Sequence, residues 1–232
     1  MEQTVFPKSE IGSATWNDEM FKKHATTYKG IAGKKEFFRT QKIWAEIKPL
    51  LKDFQVITEL GCEAGTLLHF IQERNTKNIQ LVGTDISKEA LKQAQLKLGD
   101  KVMLFYHDMQ TDDIPKMPEP NFLICSEVLE HIPNYAKAIE SISKIATQNT
   151  TVIISVPLEK YKILLKKVLT KIGLFNVLFK GFENSLSEWH VNDFSKDDIC
   201  NELSKYFNIQ KYKLILGMHH LIVATKKHKG IS

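Results

Sequence analysis

Five short runs of β-branched and aliphatic residues punctuate the chain, at 55–60 (Gln-Val-Ile-Thr-Glu-Leu), 79–84, 102–106, 121–125 and 151–156. Between them, apolar residues recur at helical spacing over about 64–74, 87–98 and 134–147. Strand-length runs alternating with helix-length segments predict a parallel sheet with helical crossovers. The runs are continuously apolar rather than alternating, as strands covered on both faces require. Two later runs, 207–215 and 219–225, are separated only by Leu216, Gly217 and Met218. Three residues are too few for a helical crossover, so an antiparallel hairpin at the sheet edge is expected. Upstream, residues 16–51 read as amphipathic helix, with Phe37, Phe38, Ile43, Trp44, Ile47 and Leu51 at helix-like spacing. The pattern predicts an α/β fold with a seven-stranded, mostly parallel sheet and helices on both faces.

A chain of 232 residues with 43% apolar and 25% charged residues has room for one ordinary core. A single domain over 1–232 is expected, with an N-terminal helical cap (1–51), a ligand-binding core (55–156), a substrate-side insertion (157–194) and a helix with the terminal hairpin (195–232). Cys62, Cys125 and Cys200 are odd in number and far apart, which draws neither a disulfide framework nor a zinc-knuckle spacing. The opening residues lack a basic leader followed by an apolar run. A cytoplasmic setting, reducing and on occasion peripheral to a membrane, is expected. The net charge of +5 suits an anionic partner such as nucleic acid, a phospholipid surface or a phosphorylated substrate, but many basic enzymes share it.

Candidate chemistry concentrates where the first strand meets its helix, in Glu59-Leu60-Gly61-Cys62-Glu63-Ala64-Gly65. Gly61 and Gly65 permit a tight turn and close approach of a ligand to the backbone, and the following helix offers free N–H groups. Asp85, at the end of the second strand and 24 positions after Gly61, can accept hydrogen bonds from the ribose hydroxyls of an adenosine group. Asp108, after the third strand, is placed to receive an adenine amino group. Each feature alone also reads as plain structure: a glycine turn, or a strand end beside a helix capped by Ser87. A nicotinamide fingerprint needs glycines where Glu63 and Thr66 stand.

The fourth strand runs into Cys125-Ser126-Glu127-Val128-Leu129-Glu130-His131. A helical turn beginning near Ser126 would set Glu127, Glu130 and His131 at i, i+3 and i+4 on one face. His190 follows the fifth strand and is expected to join them. Such a carboxylate–imidazole set suits Mg²⁺, Mn²⁺, Fe²⁺, Co²⁺ or Zn²⁺ and could lower the pKa of a bound hydroxyl. The alternatives are a metal-free role, with His131 or His190 as general base or pocket wall, and purely structural histidines. His107, His219 and His220 are expected to be packing residues.

The ordered set resembles the Rossmann-like S-adenosylmethionine-dependent methyltransferases, from the first strand through the terminal hairpin. The resemblance implies that Glu59, Gly61 and Gly65 line the methionine side of the cofactor, Asp85 with Ile86 holds the ribose, Asp108 with Met109 frames the adenine, and Ser126 closes the site. Glu-x-x-Glu-His with a later His is also similar to ubiquinone-pathway O-methyltransferases and to small-RNA 2′-O-methyltransferases, which implies Glu127, Glu130, His131 and His190 as ligands and Glu127, His131 and His190 as catalytic residues. Glu63 departs from the family, standing at its middle glycine. The implied function is O-methylation of a small or lipid-linked hydroxylated substrate; the alternatives are small-RNA 3′-terminal 2′-O-methylation and a non-catalytic cofactor-binding relative. The lysine-rich, apolar stretch 158–181 reads as a lid, with membrane contact or RNA-phosphate contact as alternatives.

Overall fold

The structure, a computed structural model, describes residues 11–24, 31–158 and 190–228, without the side chains of residues 20, 23–24 and 31–35. The 158–181 stretch read as a lid therefore lies, beyond its first residue, outside the described residues. The core strands are β1 (Val56–Leu60), β2 (Gln80–Asp85), β3 (Val102–Tyr106), β4 (Phe122–Ser126) and β5 (Thr151–Pro157), followed by β6 (Phe207–Ile215) and β7 (His219–Lys226). They form one seven-stranded sheet in the order β3-β2-β1-β4-β5-β7-β6. The first five are parallel, and β7 runs antiparallel to both β5 and β6. The sequence expectation of a mostly parallel sheet with an antiparallel terminal hairpin is met.

Successive side chains of one strand point to opposite faces. In β4 and β5 both faces are buried: Leu123 and Ile154 join one apolar cluster, Ile124 and Ile153 the other. Continuous apolar runs follow from this two-sided cover. The first cluster packs on α5 (Tyr135–Ile145) and on the short helix α6 (Lys196–Leu203) through Ile139, Ile142 and Ile199. The second packs on α2 (Ile31–Ile47) and α3 (Thr66–Arg74) through Ile43, Ile47, Leu68 and Ile71. Each such side chain withdrawn from water contributes roughly 1.5–3 kcal/mol. The edge strands β3 and β6, in contrast, are partly exposed.

The helix ends are fixed locally. α4 (Lys88–Leu98) is capped by Ser87, whose hydroxyl accepts from the Ala90 N–H at 3.0 Å. Ser87 in turn donates to Asp18 of α1 (Ala14–His24) at 2.6 Å, and the Glu89 N–H reaches the same oxygen at 3.1 Å. This pins the N-terminal helix over the β2 crossover. Just before α1, the Gly12 backbone lies against the His131 carbonyl, so the N-terminal segment borders the ends of β1 and β4. α6 opens with a capping box between Ser195 and Asp198. No described helix is long and apolar enough to cross a membrane.

Candidate active site

The strand order reverses between β1 and β4, where open α/β sheets take ligands outside their carboxyl ends. The β1–α3 turn there contains three left-handed residues, Gly61 (φ 70°), Glu63 (φ 49°) and Gly65 (φ 74°). A Cβ at Gly61 would lie 2.5 Å from Val128 Cγ2, and one at Gly65 2.6 Å from Leu98 Cδ1. Both glycines are therefore demanded by the protein's own packing as well as by the turn. Glu63 is left-handed too, and a side chain occupies that position at a cost of roughly 1–2 kcal/mol.

Asp85 is locked in place, its two oxygens accepting the Glu63 and Ser87 amides at 2.8 Å each. The Ile86 amide also serves this carboxylate. Burial nevertheless raises the Asp85 carboxyl, against the opposing effect of those three N–H groups. Glu59 is buried at the end of β1, and its Oε2 has no hydrogen-bond partner among the described residues. Burial foremost, opposed by Arg39 and reinforced by Glu63, Asp85 and Glu36, raises the Glu59 carboxyl well above the usual range. Part of the Glu63 surface reaches solvent, yet protein atoms crowding its carboxyl, with the Asp85 and Glu36 charges, push it up to about 7.

The turn thus gathers Glu36, Glu59, Glu63 and Asp85 near Arg39, with Lys97 also acting on Glu63. Arg39 on α2 escaped the sequence reading, although it is one of only two arginines among 32 basic residues. Beyond β3, Asp108 spends Oδ1 on the Gln110 amide at 2.9 Å. Met109 is buried in the core on the α5 face. His107 is buried, with burial lowering its pKa, which agrees with a packing role. So does His220, held by the Tyr212 hydroxyl at 2.8 Å and the Phe194 carbonyl at 3.2 Å.

The reaction centre departs from the expected single helical face. Glu127 adopts φ 56°, which stops a helix from starting at Ser126. A 3-10 turn forms only over Leu129–His131. Of the four expected ligands, Glu130, His131 and His190 converge with donor atoms within 4.8 Å of one another, and Glu127 is not in that group. His131 Nε2 lies 3.9 Å from Glu130 Oε1, and the His131 and His190 rings stack edge-on with centroids 4.8 Å apart. Glu130 is 1% exposed.

What carries His190 there is a residue the sequence reading passed over. Asn192 donates through Nδ2 to the Ile132 carbonyl at 2.7 Å and the Leu129 carbonyl at 3.1 Å. The Val191 and Asn192 amides both reach the Glu130 carbonyl, at 2.9 and 3.2 Å. The left-handed turn redirects Glu127 toward β5 and β7 instead. Its Oε1 accepts from Ser155 Oγ at 3.0 Å, its Oε2 lies 2.8 Å from His219 Nδ1, and Arg39 Nη1 is 3.6 Å away. Ser126 Oγ stands 2.9 Å from Ser155 Oγ. His219, expected to be a packing residue, is thus an electrostatic partner of the reaction edge.

Residues 58–152 match the methyltransferase domain family. Over 128 residues the chain is 30% identical to a ubiquinone biosynthesis O-methyltransferase of Alkalilimnicola ehrlichii, covering 54% of this chain and 51% of that one. A protein of the same description from Azoarcus sp. is 24% identical over 173 residues, 69% of each chain. The chain thus spans about half the length of the first of these relatives. Among solved structures, magnesium protoporphyrin IX methyltransferase of Synechocystis with bound S-adenosylhomocysteine aligns with a TM-score of 0.60 at 18% identity, covering 95% of this chain and 98% of that one. The [4+2]-cyclase SpnF aligns with a TM-score of 0.67 at 10% identity, over 92% and 96% of the two chains, so the fold alone does not select the reaction. The chain is therefore similar to the methyltransferase domain family over residues 58–152, on a sheet of Rossmann-like strand order.

Proposed function

We propose that the protein is an S-adenosylmethionine-dependent methyltransferase acting on an oxygen of a small or lipid-linked hydroxylated molecule. The observation that carries the reading is the carboxylate group around the β1–α3 turn, above all the buried Glu59 oxygen with no partner among the described residues. A cofactor bearing an ammonium and a sulfonium complements such a site. Glu59, its carboxyl raised by burial, offers that oxygen to the ammonium, and Arg39 is a nearby cation for the cofactor carboxylate. Asp85, at the second strand end, faces the ribose. The oxygen acceptor is supported by the names of the two bacterial relatives.

Glu130, His131 and His190 fit a divalent ion: one buried carboxylate and two imidazoles at ligand spacing, a mixture that suits Mg²⁺, Mn²⁺, Fe²⁺, Co²⁺ or Zn²⁺. When bound, such an ion supplies Lewis acidity to a substrate hydroxyl. The chain's own residues orient it through the Asn192 clamp.

Isothermal titration with S-adenosylhomocysteine tests the cofactor reading. Micromolar binding is expected, weakened about 10–100-fold in Glu59→Gln, the loss of one hydrogen bond to a charged group. Absence of binding by the wild-type protein would overturn the proposal.

A further inference from the structure

Three groups outside the cofactor turn stand out: buried His107, the Glu130–His131–His190 cluster and the Glu127–His219 pair. The last is built as a chain of donors ending on a base. Ser155 gives its only hydroxyl proton to Glu127 Oε1, so the Ser126 hydroxyl must be the donor to Ser155. The Ser155 hydroxyl and the Arg39 guanidinium both favour the ionised form of Glu127. A carboxylate only accepts, which places the His219 proton on Nδ1 and leaves the lone pair on Nε2. His219 is buried, and Nε2 has no hydrogen-bond partner among the described residues. An unpaired buried polar atom of this kind costs roughly 1–3 kcal/mol unless a ligand satisfies it.

Topology sets the pair at the ligand edge. His219 opens β7 opposite Pro157, the last residue of β5, and the Glu127 amide donates to the Ser155 carbonyl. Arg39 is shared between Glu127 and the Glu59 carboxyl.

We propose that His219, oriented by Glu127, is the general base that takes the proton from the acceptor hydroxyl. This deepens the oxygen-methylation reading and rests on it. In the step, the acceptor O–H bond breaks and its proton passes to His219 Nε2. The oxygen lone pair forms a bond to the methyl carbon, and the carbon–sulfur bond breaks with its electron pair left on sulfur, giving S-adenosylhomocysteine. The imidazolium pairs with Glu127 until it releases the proton to water. His131 and His190 are then left to hold and position the acceptor.

The test compares two probe acceptors, catechol and 4-nitrocatechol, the latter already ionised at the assay pH. With wild-type protein and S-adenosylmethionine, both are methylated. His219→Gln is expected to lose about 100-fold or more in single-turnover rate with catechol but under about threefold with 4-nitrocatechol, with S-adenosylhomocysteine affinity unchanged within about twofold. Glu127→Gln, which keeps the shape of the site, shows the same selectivity in milder form. Equal losses on both acceptors, or none, overturn the base role while leaving methyl transfer intact. Transfer to neither acceptor by the wild-type protein overturns the oxygen-acceptor reading, and the base role with it. Long-range ¹⁵N–¹H NMR of histidine-labelled protein gives a readout independent of turnover. An unprotonated Nε2 on His219 supports the assignment, and an Nε2–H tautomer overturns it.

Discussion

Glu63 holds a left-handed backbone conformation with its carboxyl pushed up to about 7 by crowding and by Asp85 and Glu36. A carboxyl raised on folding binds a proton that the unfolded chain has released, so it subtracts stability as pH rises from about 4.5 to about 7. Glu63→Gln keeps the backbone cost and removes only the titration. Melting curves of the two cofactor-free proteins should coincide below about pH 4.5 and diverge as pH rises to about 7, with the glutamine variant the more stable and the gap constant above that; a pH-independent offset would refute the account. Gly61 illustrates the complementary case, since any side chain there meets Val128. Both glycines were recognisable from the motif, but the reason for them, contact with Val128 and Leu98, belongs to residues far along the chain.

Elements assemble the reaction edge from segments that mean little separately. The 3-10 turn Leu129–His131 and the stretch 190–192 are joined by two Asn192 side-chain hydrogen bonds and two amides on one carbonyl. Asn192→Ala removes the side-chain bonds, worth about 1 kcal/mol each, and frees His190 from its register beside His131. Mn²⁺ titration followed by electron paramagnetic resonance should then show affinity reduced about tenfold relative to wild type. Unaltered affinity would mean that His190 is held by other means or is no ligand. A helical reading of 126–131 failed at this scale because a single left-handed residue, Glu127, reverses the chain. Nothing in its identity announces that conformation, which the hydrogen bonds to Ser155 and His219 hold in place.

Across the whole molecule, the N-terminal cap and the C-terminal hairpin are tied by Glu46 of α2, which meets Lys211 and Lys213 of edge strand β6 at 2.7 and 2.5 Å. Burial works against the charge on Glu46, but hydrogen bonds from both lysines hold its carboxyl below the usual range. A carboxyl lowered on folding adds stability above its unfolded pKa and loses it as pH falls through the folded value. Glu46→Gln should therefore destabilise the protein by about 1 kcal/mol at neutral pH, the lysines being half exposed, and by progressively less in acid. Denaturant titrations at several pH values measure it, and an equal loss at every pH would contradict the ionic origin. The strands, crossover helices, terminal hairpin and acidic glycine turn were all legible in the residue pattern, because each depends on periodicity within a few turns of chain or on a motif read in order. Tertiary structure alone decided that Arg39 stands among the carboxylates, that Glu127 leaves the Glu130–His131–His190 group, and that His219 becomes its partner. The Arg39–Glu127 and Glu127–His219 contacts join residues more than 80 positions apart, and no local pattern encodes them.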